Sequence, residues 1–197
     1  MTTKDFRGLL VVLSGPSGVG KTSIAHALLK RFDGIFSVSA TTRARGPGEV
    51  DGRDYRFIDE PAFQRMIDAD EFLEHAEVFG RSWYGTPRAP VDAAVTAGRL
   101  AVLDIDVQGA EQVRAKRPDM LGIFVLAPSE DDLLKRLRAR GRDDESAIAR
   151  RFEESTREIA RAKRGHTYDH FVVNADLAAC CDEVCALVGA RVGTAMR

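Results

Sequence analysis

The sequence predicts an α/β fold, a parallel sheet covered by helices on both faces. Short, continuously apolar runs recur at 9–13, 100–103, 122–126 and 171–173, as strands buried on both faces require. Amphipathic stretches long enough for helices lie between these runs. Strands separated by such helices imply right-handed crossovers and parallel pairing.

The first run, 9–13, leads into a glycine-rich turn. A helical pattern over 21–32 follows and puts Ile24, Ala27, Leu28 and Phe32 on one face. Further helical patterns occupy 88–97, 108–116, 129–140 and 177–191. The helix predicted from Ser129 accounts for most of its own charges. Ser129 caps it, and Glu130, Asp131 and Asp132 favour its positive end. Lys135, Arg136, Arg138 and Arg140 gather at the negative end, before Gly141.

Two regions break the rhythm. Residues 37–86 are rich in Gly, Arg, Asp and aromatics in short alternating pieces, and read as an inserted subdomain. Residues 143–164 form a charged helical stretch with a thin apolar stripe of Ile148, Phe152 and Ile159. A stripe that thin predicts a helix that packs lightly and moves. The expected organisation is a core of 1–36, 90–128 and 165–197, an insert of 37–89 and a helical lid of 129–164.

Composition narrows the function. A formal net charge of −1 supplies no global field for nucleic acid or an anionic membrane. No apolar run approaches the roughly 20 residues that span a bilayer, and the polar first eight residues lack the apolar region of a secretory signal. Cys180, Cys181 and Cys185 form no disulfide framework and read as small buried side chains. Cytoplasm is the expected compartment, with small-molecule substrates rather than nucleic acid or membrane as partners.

The chemistry starts at Gly15, Pro16, Ser17, Gly18, Val19, Gly20, Lys21 and Thr22, a full G-x-x-x-x-G-K-[ST] phosphate loop. Its glycines let successive N–H groups turn inward toward phosphate oxygens, and the following helix adds its positive N-terminus. Lys21 is the residue for the β- and γ-phosphates of a nucleoside triphosphate, and Thr22 for Mg²⁺. The run 100–103 ends in Asp104 and Asp106, which places carboxylates at the C-terminal edge of the sheet, where open parallel sheets bind ligands. Asp104 is expected to organise the metal through water. These features point to a P-loop NTPase-type fold and phosphoryl transfer, and leave the acceptor open.

The strings around Ser39–Arg45, Gly48–Tyr55, Glu71–Phe79 and Tyr84–Thr86, together with the phosphate loop and Leu-Asp-Ile-Asp-Val-Gln-Gly at 103–109, resemble guanylate kinase. The resemblance runs in unbroken order from about Leu10 to Leu177. It implies a core, a GMP-binding insert and a lid that closes over ATP. It implies that Arg43, Tyr55 and Tyr84 hold the GMP phosphate, that Ser39, Glu74, Thr86 and Asp106 surround the guanine, that Arg140 and Arg151 of the lid reach the ATP phosphates, and that Asn174 lies near the adenine. Lys21, Arg43, Arg140 and Arg151 are then the expected catalytic residues. The sequence departs from the family pattern in two places. Arg45-Gly46 stands where Pro-Arg is usual, so either Arg45 reaches the phosphate through backbone freedom at Gly46, the expected outcome, or it points into solvent and leaves Arg43 and the two tyrosines to hold the phosphate. The segment Gly80–Tyr84 is one residue longer than the common form.

The expected reaction is Mg²⁺-dependent transfer from ATP to GMP, with dGMP as a further acceptor, by a monomer or homodimer. The alternatives are a non-catalytic interaction module of the same fold and a nucleoside monophosphate kinase for another base.

Overall fold

The computed structural model describes residues 8–78, 80–139 and 144–193. In chain order its elements are β1 (Leu9–Ser14), α1 (Lys21–Arg31), β2 (Gly34–Phe36), β3 (Ala40–Thr41), β4 (Arg56–Phe57) and α2 (Glu60–Asp68). β5 (Phe72–Val78), β6 (Ser82–Pro87), α3 (Arg88–Thr96), β7 (Leu100–Asp104) and α4 (Val107–Lys116) follow. The chain continues with β8 (Leu121–Leu126), α5 (Glu130–Ala139), α6 (Glu145–Arg164), β9 (His170–Val173) and α7 (Leu177–Val192).

Five strands form one sheet in the order β2-β7-β1-β8-β9, every neighbouring pair parallel. All six residues of β1 are buried, and alternate side chains serve opposite faces. Leu9, Val11 and Leu13 join Ile24, Leu28, Val184 and Val188 of α1 and α7. Leu10 and Val12 join Val91, Ala110 and Val113 of α3 and α4. The predicted doubly covered parallel sheet is therefore observed, with β2 as an additional edge strand too short to announce itself by periodicity. Cys180 and Cys185 are buried in the α1/α7 layer, Cys181 is half-buried, and all three thiols are free.

The insert builds a second sheet, β4-β3-β6-β5. α2 covers one face of it with Phe63, which stacks on Phe72 at 4.5 Å between ring centroids. The Asp59 carboxylate caps α2 by accepting from Ala62 N, and a proline opens the first turn. The insert is sutured to the core at β5. Gln112 of α4 accepts from His75 N and donates to His75 O at 3.1 and 3.0 Å. Lys116 donates to Phe72 O and pairs with Asp70, each at 2.7 Å.

Ser129 caps α5 as expected, its hydroxyl accepting from Asp132 N at 3.0 Å. α6 runs for 20 residues and buries only Ile148, Ser155 and Ala162. Phe152 and Ile159 are partly buried against the core, as the thin stripe predicts.

Candidate active site

β1 delivers the chain to the phosphate loop. Gly15, Gly18 and Gly20 all have positive φ. A Cβ on Gly15 would lie 2.2 Å from the Val125 carbonyl oxygen, and one on Gly20 2.7 Å from Asn174 Nδ2, so the turn admits no side chain at either place. Lys21 Nζ donates to the carbonyls of Gly15 and Pro16 at 2.6 and 3.2 Å and lies 3.8 Å from Asp104 Oδ1. Thr22 Oγ1 donates to Asp104 Oδ2 at 3.3 Å. Burial pushes the Asp104 carboxyl above its ordinary range, against the pull of Lys21. The lysine, hydroxyl and carboxylate read from two separate motifs thus meet at one point. Beside them lies a cleft of about 440 Å³ lined by Gly18, Lys21, Thr22, Asp104 and Arg136.

Asn174 has a second place in this site. Its Nδ2 donates to Val19 O at 2.7 Å, and its own carbonyl accepts from Arg136 Nη2 at 2.7 Å. The buried amide braces the phosphate loop from below. Arg136, read in the sequence as one more charge at a helix end, holds Asn174 and lines the cleft beside the phosphate loop.

A second part of the site is organised by the β5/β6 ladder. Glu74 pairs with Thr86, Ala76 with Tyr84 and Val78 with Ser82, so these six residues share one face. Trp83, on the other face, packs toward Phe63. Tyr84 is therefore the aromatic that faces the site. Glu74 is buried, and Thr86 Oγ1 donates to its Oε1 at 2.6 Å. Burial pushes its carboxyl up to about 7, although the bond from Thr86 opposes the rise. Gly109 of α4 makes room for it, since a Cβ there would come within 3.0 Å of Glu74 Oε2. Asp106 caps α4 by accepting from Gly109 N at 2.7 Å, which occupies one of its oxygens in a structural bond. Ser39, Tyr55, Thr86 and Asp104 line one pocket of about 170 Å³, which runs from this face to the end of β7.

Arg43 Nε donates to Tyr84 Oη at 3.1 Å, and the guanidinium stands 5.4 Å above the Tyr55 ring centre. Glu49 holds the same guanidinium with both oxygens, at 2.7 and 3.0 Å, and also accepts from Gly46 N at 2.6 Å. These bonds keep the Glu49 carboxyl below its usual range. Sequence reasoning gave no role to Glu49, one of three acidic residues in a glycine-rich loop with Asp51 and Asp54. Arg45 is exposed and makes no side-chain hydrogen bond or ion pair among the described residues. Gly46 does not take a positive φ in this structure.

On the α6 side, Ser17, Asp106, Arg151, Glu158 and Arg161 line a cleft of about 540 Å³. Arg151 thus shares this cleft with Ser17 of the phosphate loop. Arg140 lies outside the described residues.

A family model described as guanylate kinase matches residues 7–191. The chain belongs to the guanylate kinase family. It is 49% identical over 173 residues to a guanylate kinase of Bradyrhizobium diazoefficiens, covering 87% of this chain and 77% of the relative. It is 46% identical over 192 residues to a guanylate kinase of Symbiobacterium thermophilum, covering 97% and 89%. The crystal structure of guanylate kinase from Anaplasma phagocytophilum superposes with a TM-score of 0.74 at 33% identity, covering 98% of this chain and 90% of that one. Guanylate kinase membership makes the chain a nucleotide-binding transferase of the kinase class, and Lys21, Thr22 and Asp104 lie together beside the phosphate loop. Among the described residues no helix is long and apolar enough to cross a membrane.

Proposed function

We propose that the chain transfers the γ-phosphoryl group of ATP to GMP, and to dGMP, giving ADP and the nucleoside diphosphate. The observation that carries this reading is the pocket shared by Ser39, Tyr55, Thr86 and Asp104. Asp104 also accepts from Thr22 and neighbours Lys21, so one carboxylate borders both this pocket and the phosphate-loop cleft.

Guanine presents N1–H and an exocyclic amine side by side, and an ionised Glu74 accepts from both. Adenine offers an acceptor at N1, which the same carboxylate repels. A buried polar group left unpaired by the wrong base gives strong discrimination. Ser39, Thr86 and Asp106 complete the base site. Arg43, Tyr55 and Tyr84 hold the GMP phosphate, with Arg45 a further candidate from the exposed loop. Asn174 serves the ATP side by fixing the loop beneath the nucleotide.

A GMP phosphate oxygen attacks the γ-phosphorus, and the bond from that phosphorus to the β,γ-bridging oxygen breaks as ADP leaves. No protein nucleophile is required. Lys21 supplies fixed positive charge at the β- and γ-phosphates, and Arg140 and Arg151 supply it from the lid. The Thr22 hydroxyl and the Asp104 carboxylate, 3.3 Å apart, suit Mg²⁺, which takes one or two protein groups together with phosphates and water. When bound, the ion neutralises charge on the phosphates. The lid and the 37–89 insert closing together would exclude water as a competing acceptor.

ADP release should be measured with ATP, Mg²⁺ and a panel of GMP, dGMP, AMP, CMP and UMP. GMP and dGMP should turn over far faster than the rest. Turnover of AMP at the rate of GMP would refute the base assignment, and no turnover with any acceptor would favour the non-catalytic alternative.

A further inference from the structure

Arg43 has little left to give a phosphate. A guanidinium carries about five N–H donors. Nε goes to Tyr84 Oη, Nη1 to Ala44 O and one Glu49 oxygen, and Nη2 to the other Glu49 oxygen. That leaves a single N–H. The charge is also spoken for, because the Arg43–Glu49 pair is neutral as a unit. A nucleoside monophosphate brings close to two negative charges, which this cluster alone does not balance.

A second cation borders the same place. A groove of about 490 Å³ is lined by Arg43, Val78, Arg81, Ser82 and Tyr84, and not by Arg45. Val78, Ser82 and Tyr84 belong to the ladder face that carries Glu74 and Thr86, so the groove continues the acceptor face toward the β5/β6 turn. Arg81 sits at that turn, its N–H donating to Val78 O at 3.3 Å. Its side chain is exposed and makes no hydrogen bond or ion pair among the described residues. The preceding Gly80 has φ 59° and open space around it, which lets the turn adjust.

We propose that Arg81 is the second cation of the acceptor phosphate site, gripping the GMP phosphate from the β5/β6 turn while Glu49 keeps Arg43 oriented. The proposal rests on the GMP reading above and adds to it a specificity residue outside the loop that carries Arg43 and Arg45. Arg81 then acts on the phosphate and has no part in reading the base.

Calorimetry with GMP and with guanosine, which lacks the phosphate, separates the two contributions. Arg81→Ala should weaken GMP binding about five- to tenfold, the range between an exposed and a desolvated charge contact, and leave guanosine binding unchanged. Arg81→Lys should recover part of the loss. GMP affinity of Arg81→Ala within twofold of the unaltered protein would overturn the proposal, as would equal losses for GMP and guanosine. Failure of the unaltered protein to bind GMP would overturn the functional reading and Arg81 with it.

Discussion

The Thr86 hydroxyl donates to Glu74 Oε1 at 2.6 Å, fixing a buried carboxylate whose pKa burial has pushed up to about 7. Reading guanine requires the ionised form. Guanosine affinity should therefore fall as pH drops below about 7, approaching tenfold per pH unit, because protonation competes with binding. Guanosine is the ligand of choice, since the phosphate of GMP titrates in the same range. Glu74→Gln should bind guanosine weakly at every pH. A flat profile in the unaltered protein would refute the role of Glu74.

The stability of the ligand-free protein should show the opposite trend. The folded pKa of Glu74 lies above its ordinary 4.5, so the folded state binds this proton more tightly than the unfolded chain does. Its contribution is full below about 4.5 and is lost as pH rises through about 7. Urea midpoints measured against pH should decline over this window in the unaltered protein and less so in Glu74→Gln. Parallel curves would show that Glu74 does not titrate there.

Lys21→Ala should keep the fold, because the side chain lies over the loop and supports no core contact. Turnover should drop by about 10³ or more, since the lost charge acts where the transferring phosphoryl is stabilised. A folded variant with near-normal turnover would exclude Lys21 from the chemistry.

Asn174→Ala should destabilise the protein by about 1–3 kcal/mol, because it leaves the buried Val19 carbonyl unpaired. A fall in melting temperature of roughly 5 °C would express this. The KM for ATP should rise several-fold with that for GMP little changed, as the loop beneath the triphosphate loosens. An unchanged melting temperature would show that the brace carries no load.

The parts of the site legible in the sequence were those in which chemistry and chain order coincide. The phosphate loop is contiguous, and Asp104 stands where an apolar run stops. Glu74, Thr86, Arg43 and Tyr84 were reached through the resemblance, and the ladder explains why they share a face. Contacts made by folding alone were hidden. Asn174 is 155 residues from Val19, and nothing local to either marks the bond. Glu49 meets Arg43 only because the intervening loop doubles back. β2, three residues long, is below the reach of any periodicity. α2 was legible in principle, since Asp59, Glu60 and Pro61 spell a capped helix start.

The suture between Gln112 and His75 makes the insert a lever with its fulcrum at the root of β5. Glu74 lies next to the fulcrum. Val78 is three residues beyond His75, about 10 Å along the strand, and the Arg81 turn lies beyond it. A rotation about this seam would barely displace the Glu74 carboxylate and would carry the turn through the widest arc. On the proposed reading, selection of the base would then be mechanically decoupled from capture of the phosphate, the one near a stationary point and the other at the far end of the lever.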